Sequence, residues 1–168
     1  MDNTQIQPVF LTNQRPNAKL LPWLLATGSL TAKFEALSGQ RLQVTSTFEG
    51  RVRLKSDELK KLGINDNRPH SAWVRESLLA PSVHSPAWVK ARSVFPFVSL
   101  TGEARKLANL GRTPIGYVMF GRQGAVLVKR WLELTGDGWM RTSLYDWQGR
   151  RLLVSETFLP SFLSIIAP

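Results

Sequence analysis

The stretch Arg151-Leu152-Leu153-Val154-Ser155-Glu156-Thr157-Phe158-Leu159-Pro160 constrains this chain more than any other, because its alternation specifies a half-buried strand with one carboxylate on the apolar side. Leu152, Val154, Glu156 and Phe158 share a face. An acid held among three large apolar side chains loses water, so it requires a partner, a proton or a ligand to offset that cost. Glu156 is therefore the first functional candidate. The plainer alternative is a strand near a sheet edge, from which Glu156 reaches solvent past its neighbours.

The chain has 168 residues, 43% of them hydrophobic and 20% charged, which suits one globular domain spanning 1–168 with a sizeable core. Lys and Arg number 22 against 12 Asp and Glu, so the net charge of +10 favours anionic partners without choosing among nucleic acid, acidic lipid and small polyacids. The absence of cysteine excludes disulfides, thiolate nucleophiles and Cys-based zinc sites, and with only His70 and His84 no histidine-rich metal site is expected. Asp2 stands where a secretory leader carries positive charge. The apolar runs Leu20–Ala26 and Phe158–Pro168 are short and broken by proline, so neither a signal peptide nor a membrane span is read, and a cytoplasmic protein is expected.

Residues 1–16, polar and containing Pro8 and Pro16, read as a loosely held arm. Leu20, Leu21, Leu24 and Leu25 repeat at helical spacing, and Ser29 or Thr31 caps a second helix that stops at Gly39. Arg41–Leu54 alternates as a strand with a bulge or bend at Gly50. Ser56–Gly63 is a helix with leading acids, trailing bases and a terminal glycine. A strand at Ala87–Val98 is interrupted by Pro96, and Thr101–Gly111 forms a short helix with Thr101 at its cap and Glu103 in its first turn. Arg112–Gly116 is a turn whose backbone can face a ligand. A meander of Ala125–Leu134, Trp139–Trp147 and Leu152–Leu159 completes the chain. The expected fold is α+β: an antiparallel sheet of about six strands with helices packed on one face, enclosing an internal ligand pocket.

The strand Ser71–Ala80 carries Trp73, Arg75, Ser77 and Leu79 on one side and Val74, Glu76 and Leu78 on the other. Each face has a charge between apolar neighbours. Arg75 is the better binding candidate, since a guanidinium keeps its charge when buried and grips a carboxylate through two parallel hydrogen bonds. An arginine packed on Trp73 is the structural alternative.

Leu20-Leu21-Pro22-Trp23-Leu24-Leu25 followed by Ser29-Leu30-Thr31, then Trp73-Val74-Arg75-Glu76, Gly111-Arg112-Thr113-Pro114-Ile115-Gly116 and Glu156-Thr157-Phe158-Leu159-Pro160, together resemble the chorismate pyruvate-lyase family across most of the chain. The resemblance implies a cofactor-free lyase that converts chorismate to 4-hydroxybenzoate and pyruvate at the start of ubiquinone synthesis, acting as a monomer. It implies that Arg75 holds the ring carboxylate and Glu156 meets the ring hydroxyl, both as catalytic residues. Ile115 would contribute a backbone contact where relatives often have leucine, and Leu30 would line the pocket where methionine is familiar. Ala91 replaces a glycine associated with product release.

Chorismate is a dianion, which suits a basic protein. Its second carboxylate needs a cation, for which Arg92, Lys90 and His84 are the candidates near the expected site. The same fold resembles the effector-binding domain of some transcription regulators, so a non-catalytic domain binding an aromatic acid is the second reading. Nucleic-acid binding lacks a recognisable motif, and the basic residues are scattered.

Overall fold

A computed structural model describes residues 6–120 and 124–168, apart from the Glu103 side chain. One seven-stranded sheet is built from β1 (Val9–Phe10), β2 (Gln43–Arg53), β3 (Ser71–Ala80), β4 (Val89–Pro96), β5 (Val126–Thr135), β6 (Gly138–Trp147) and β7 (Arg150–Phe158). Its order is β1-β5-β6-β7-β4-β3-β2, antiparallel throughout except where β1 joins β5. The expected count of about six misses β1, which at two residues is too short to show alternation. That strand lies within the segment expected to be a loose arm. Leu11 continues the tie by donating to the Leu132 carbonyl, and Phe10 meets Trp139 edge-on; residues 1–5 lie outside the description.

The helices are α1 (Leu21–Leu25), α2 (Leu30–Ser38), α3 (Ser56–Leu62), α4 (Ile115–Met119) and α5 (Pro160–Ile166). Ser29 caps α2 by accepting from the Ala32 amide, and Gly39, at a φ of 71°, ends it in the left-handed conformation. Covering helices occupy both faces, not one. Leu62 of α3 packs with Ala72, Val74, Val94, Leu144 and Leu153, whereas α1, α2 and α5 pack on the side holding Leu79, Val89 and Phe158. Strand alternation requires this, because β3 and β7 carry apolar residues on both faces.

Three local expectations change. The β2 bulge lies between Ser46 and Phe48, not at Gly50. Gly102–Asn109 is a 3-10 helix, preceded by a shorter one at Phe97–Ser99. Pro114 and Gly116 belong to the start of α4, not to a free turn. A Cβ on Gly116 would stand 2.7 Å from Ser29 Oγ, so glycine there lets α4 press against the start of α2.

The first core cluster centres on Phe34, whose ring lies 5.3 Å from Trp23, 5.1 Å from Phe162 and 5.6 Å from Trp88. These contacts fasten α1, α2 and α5 to the sheet. Phe34→Ala is expected to destabilise the protein by about 3–5 kcal/mol, read as a lowered urea midpoint at unchanged slope. A loss below 1 kcal/mol would place the fastening elsewhere.

Candidate active site

Two transverse rows of the sheet build the site. In the first, Leu132, Arg141, Glu156, Ala91 and Ser77 stand side by side on β5, β6, β7, β4 and β3. In the second, Arg130, Ser143, Val154, Ser93 and Arg75 occupy the same strands. All face the side covered by α2 and α4. Small residues at the centre (Ala91, Ser77, Ser93) leave room, while long charged ones flank it. The result is a cavity of about 40 Å³ lined by Leu30, Arg75, Ile115 and Glu156 among others. Thus all four site residues expected from the sequence line one space, although they come from four separate segments. Leu30 and Ile115 open α2 and α4, and both belong to its roof.

Arg75 is 3% exposed. Its Nη1 donates to the Thr113 carbonyl at 3.0 Å and its Nη2 to the Gly111 carbonyl, so it ties the segment before α4 down onto β3. Its Nε is buried with no hydrogen-bond partner among the described residues. Burial pulls this guanidinium below the usual arginine range, and the charge of Glu49 on the neighbouring strand counters part of that effect.

Glu156 lies in the apolar row foreseen for it, between Val154 and Phe158, and its partner is a residue that the sequence reading passed over. Arg141 Nε donates to Glu156 Oε2 at 2.6 Å. The pair is cross-strand and almost dry: the arginine side chain is 1% exposed, the glutamate 12%. Arg141 Nη1 also donates to the carbonyls of Trp23 and Ala26, at 2.9 and 3.0 Å. The carboxylate is therefore held from behind by a cation that is itself anchored to α1 and to the residue that ends it. Beside it, the Tyr145 phenol is pushed up from its usual range, first by burial and then by the charge of Glu156, so it remains a donor.

Arg130, also missed, is 2% exposed. Its Nε donates to Ser143 Oγ at 2.9 Å, and its Nη1 to the carbonyls of Leu24 and Ala26 at 3.2 and 2.7 Å. The signal for Arg141 is in β6, where Trp139, Ser143, Tyr145 and Trp147 alternate with it on the large apolar side. Two tryptophans bracketing an arginine on one face put that arginine inside.

None of the cations expected for a second carboxylate lines the cavity. Arg92 points to the opposite face and is spent on Glu58 and Glu76, at 2.8 and 2.7 Å. Lys90 pairs with Asp137 at 3.2 Å, and His84 is exposed in the β3–β4 loop. The buried charge on the site's own face is instead three guanidiniums against one carboxylate, among the described residues.

A family model described as chorismate lyase matches residues 8–165. A Psychrobacter cryohalolentis protein named "probable chorismate pyruvate-lyase" is 48% identical over 155 residues, covering 90% of this chain and 92% of that one. A Salmonella schwarzengrund protein named chorismate pyruvate-lyase is 34% identical over 145 residues, covering 84% and 83%. Among solved structures, the chain is similar to the ligand-binding domain of a protein described as a GntR-family transcriptional regulator from Bordetella bronchiseptica. That likeness has a TM-score of 0.51 at 12% identity, over 71% of this chain and 85% of that one, and it concerns the fold alone.

Removing Arg141 leaves a dry carboxylate without its cation. Arg141→Met is expected to cost about 3–5 kcal/mol of stability, and adding Glu156→Gln should return at least half of it. A double variant no more stable than the single one would show that the pair is not the source of the loss.

Proposed function

We propose that this chain, which belongs to the chorismate lyase family, eliminates pyruvate from chorismate to give 4-hydroxybenzoate, the aromatic acid that feeds ubiquinone synthesis. The observation that carries the reading is the shared cavity of Arg75 and Glu156, with apolar walls between a cationic and an anionic end. The likeness to a regulator's ligand-binding domain, at 12% identity, does not outweigh family membership over residues 8–165.

The chemistry asks little of the protein in driving force and much in geometry. The hydroxyl-bearing ring carbon loses its hydrogen, the ether carbon–oxygen bond breaks, and the ring becomes aromatic. The departing enolpyruvate takes up a proton on its methylene and becomes pyruvate, so atoms and electrons balance without an oxidant. The protein's task is to hold one conformer and to stabilise the negative charge that grows on the leaving oxygen.

In this reading Arg75 grips the ring carboxylate. Its Nε is unclaimed, and the backbone carbonyls now accepting from its Nη groups belong to a roof segment that has to move for a ligand to enter. Glu156 orients the ring through the hydroxyl: Oε2 is held by Arg141, which leaves Oε1 for the ligand. Leu30, Ile115, Val154 and Met119 supply apolar walls for the flat ring, and the backbone at Ile115 reaches the hydroxyl end. The proposal takes a monomer as the working unit. The proposal sets the reaction in the cytoplasm; among the described residues no helix is long and apolar enough to cross a membrane.

Purified protein given chorismate should produce 4-hydroxybenzoate and pyruvate in equal amounts, followed by the absorbance of the aromatic acid. Absence of turnover with retained binding would select the non-catalytic reading. Arg75→Lys, which cannot form the fork, should raise KM for chorismate at least about 10-fold. Glu156→Gln should keep kcat within about 10-fold if the carboxylate orients, whereas a loss of 100-fold or more would make it the proton acceptor.

A further inference from the structure

The cation for the second carboxylate is the piece that the sequence left without an owner. Resting on the proposed lyase reading, we propose that Arg130 receives the enolpyruvyl carboxylate of chorismate. In that substrate the ether carbon is the ring neighbour of the hydroxyl-bearing carbon. A ring held with its carboxylate on Arg75 and its hydroxyl on Glu156 therefore brings the enolpyruvyl group to the Glu156 end, to one side of the ring axis.

That end is where the buried positive charge is in excess. Arg141 is Glu156's cross-strand neighbour and already has its carboxylate. Arg130 has none. It lies one strand further out, behind the lining of the cavity rather than in it, on the same face of the sheet, and its Nε reaches back over β6 to Ser143, the cross-strand neighbour of the cavity residue Val154. Its other bonds go to neutral carbonyls, and its Nη2 is buried with no hydrogen-bond partner among the described residues. A buried cation with two carbonyls and a hydroxyl but no anion is an incomplete arrangement, because the desolvation cost of the charge is only partly offset.

The surroundings fit an anion. Arg141, Tyr145 and Glu156 are the charged or titratable groups acting on Arg130, and burial followed by repulsion from Arg141 pulls its guanidinium below the usual arginine range. A carboxylate arriving between the two arginines offsets both effects, beside the Tyr145 phenol that also acts on Arg130. As the ether bond breaks, charge grows on the oxygen attached to this same enolpyruvyl unit. A guanidinium fixed by three protein oxygens is held in place while that charge develops. The side chain borders a larger hollow of about 530 Å³ whose charged lining residues, among those described, are Lys33 and Arg130, so an anion approaching from that side meets no like charge.

The test compares ligands that differ only in the second carboxylate. Arg130→Gln should raise KM for chorismate by about 10- to 100-fold. The Kd of 4-hydroxybenzoate, which lacks that carboxylate, should stay within about 2-fold, as expected for a contact that it does not make. Wild-type protein should bind 3-(carboxymethoxy)-4-hydroxybenzoate at least about 10-fold more tightly than 3-methoxy-4-hydroxybenzoate, and Arg130→Gln should erase that preference. If the glutamine variant does not fold, Arg130→Lys serves, with the preference reduced but not abolished. A wild-type protein without the preference, or either variant keeping it in full, overturns the assignment. Equal loss of chorismate and 4-hydroxybenzoate binding overturns it as well. Failure of wild-type protein to release 4-hydroxybenzoate from chorismate instead defeats the lyase reading, so the two failures are distinguishable.

Discussion

The Arg141–Glu156 pair is the interaction on which the arrangement of the site depends. A carboxylate among Val154, Phe158 and their neighbours is tolerable only because a guanidinium meets it in register from the adjoining strand, at 2.6 Å and almost wholly out of water. The same arginine reaches the carbonyls of Trp23 and Ala26, so the pair also fixes the loop leading into α2, and with it the start of the roof. Stability and site geometry are therefore the same fact at this place. Paired charges in a dry interior contribute little net stability, but they define orientation closely, because each alternative rotamer strands a charge.

From that pair the electrostatics extend outward. Arg75, Arg130 and Arg141 lie at 3%, 2% and 1% exposure on one face, where, among the described residues, the nearly buried Glu156 is the one carboxylate they have to share. Each is held by backbone carbonyls, which stabilise a cation without neutralising it. A core that keeps surplus positive charge has been built at a cost in folding free energy. A dianionic ligand is the natural complement to that surplus. The opposite face differs in this respect: Arg92 is matched by Glu58 and Glu76, and Lys90 by Asp137.

Much of this was legible in the residues. Period-two alternation located β3, β6 and β7 to within two residues at each end, and the glycine after α2 and after α3 stopped each helix in the left-handed conformation. Glu156 announced itself by sitting in an apolar row, and Arg75 likewise. What was not legible depends on register. Nothing local says that Arg141 stands opposite Glu156 or that Arg130 stands opposite Ser143; those pairings follow from how β5, β6 and β7 align. The same limitation sent the search for a second cation to Arg92 and Lys90. They are near Ala91 in sequence, but a strand turns neighbours to opposite faces. The second layer of cover, α3, was hidden because Leu153 and Val74 read as strand interior without saying which helix would cover them.

The size of the cavity sets the last constraint. About 40 Å³ is small against the roughly 300–1,000 Å³ of a typical ligand site, so a ring bearing two carboxylates requires the roof to shift. The roof is fastened at two points, by Tyr117 donating to Glu35 and by Arg75 donating to the carbonyls of Gly111 and Thr113. The second fastening uses the very guanidinium assigned to the ring carboxylate. On that assignment a carboxylate entering the site competes with the roof for Arg75, and its departure restores the tie. Because an arginine presents five donors in a fixed plane, a small rotation can exchange carbonyl partners for a carboxylate without leaving the cation bare. On that assignment ligand entry and roof release become one event, and the buried Nε that the two backbone bonds leave unused is a donor available to the carboxylate.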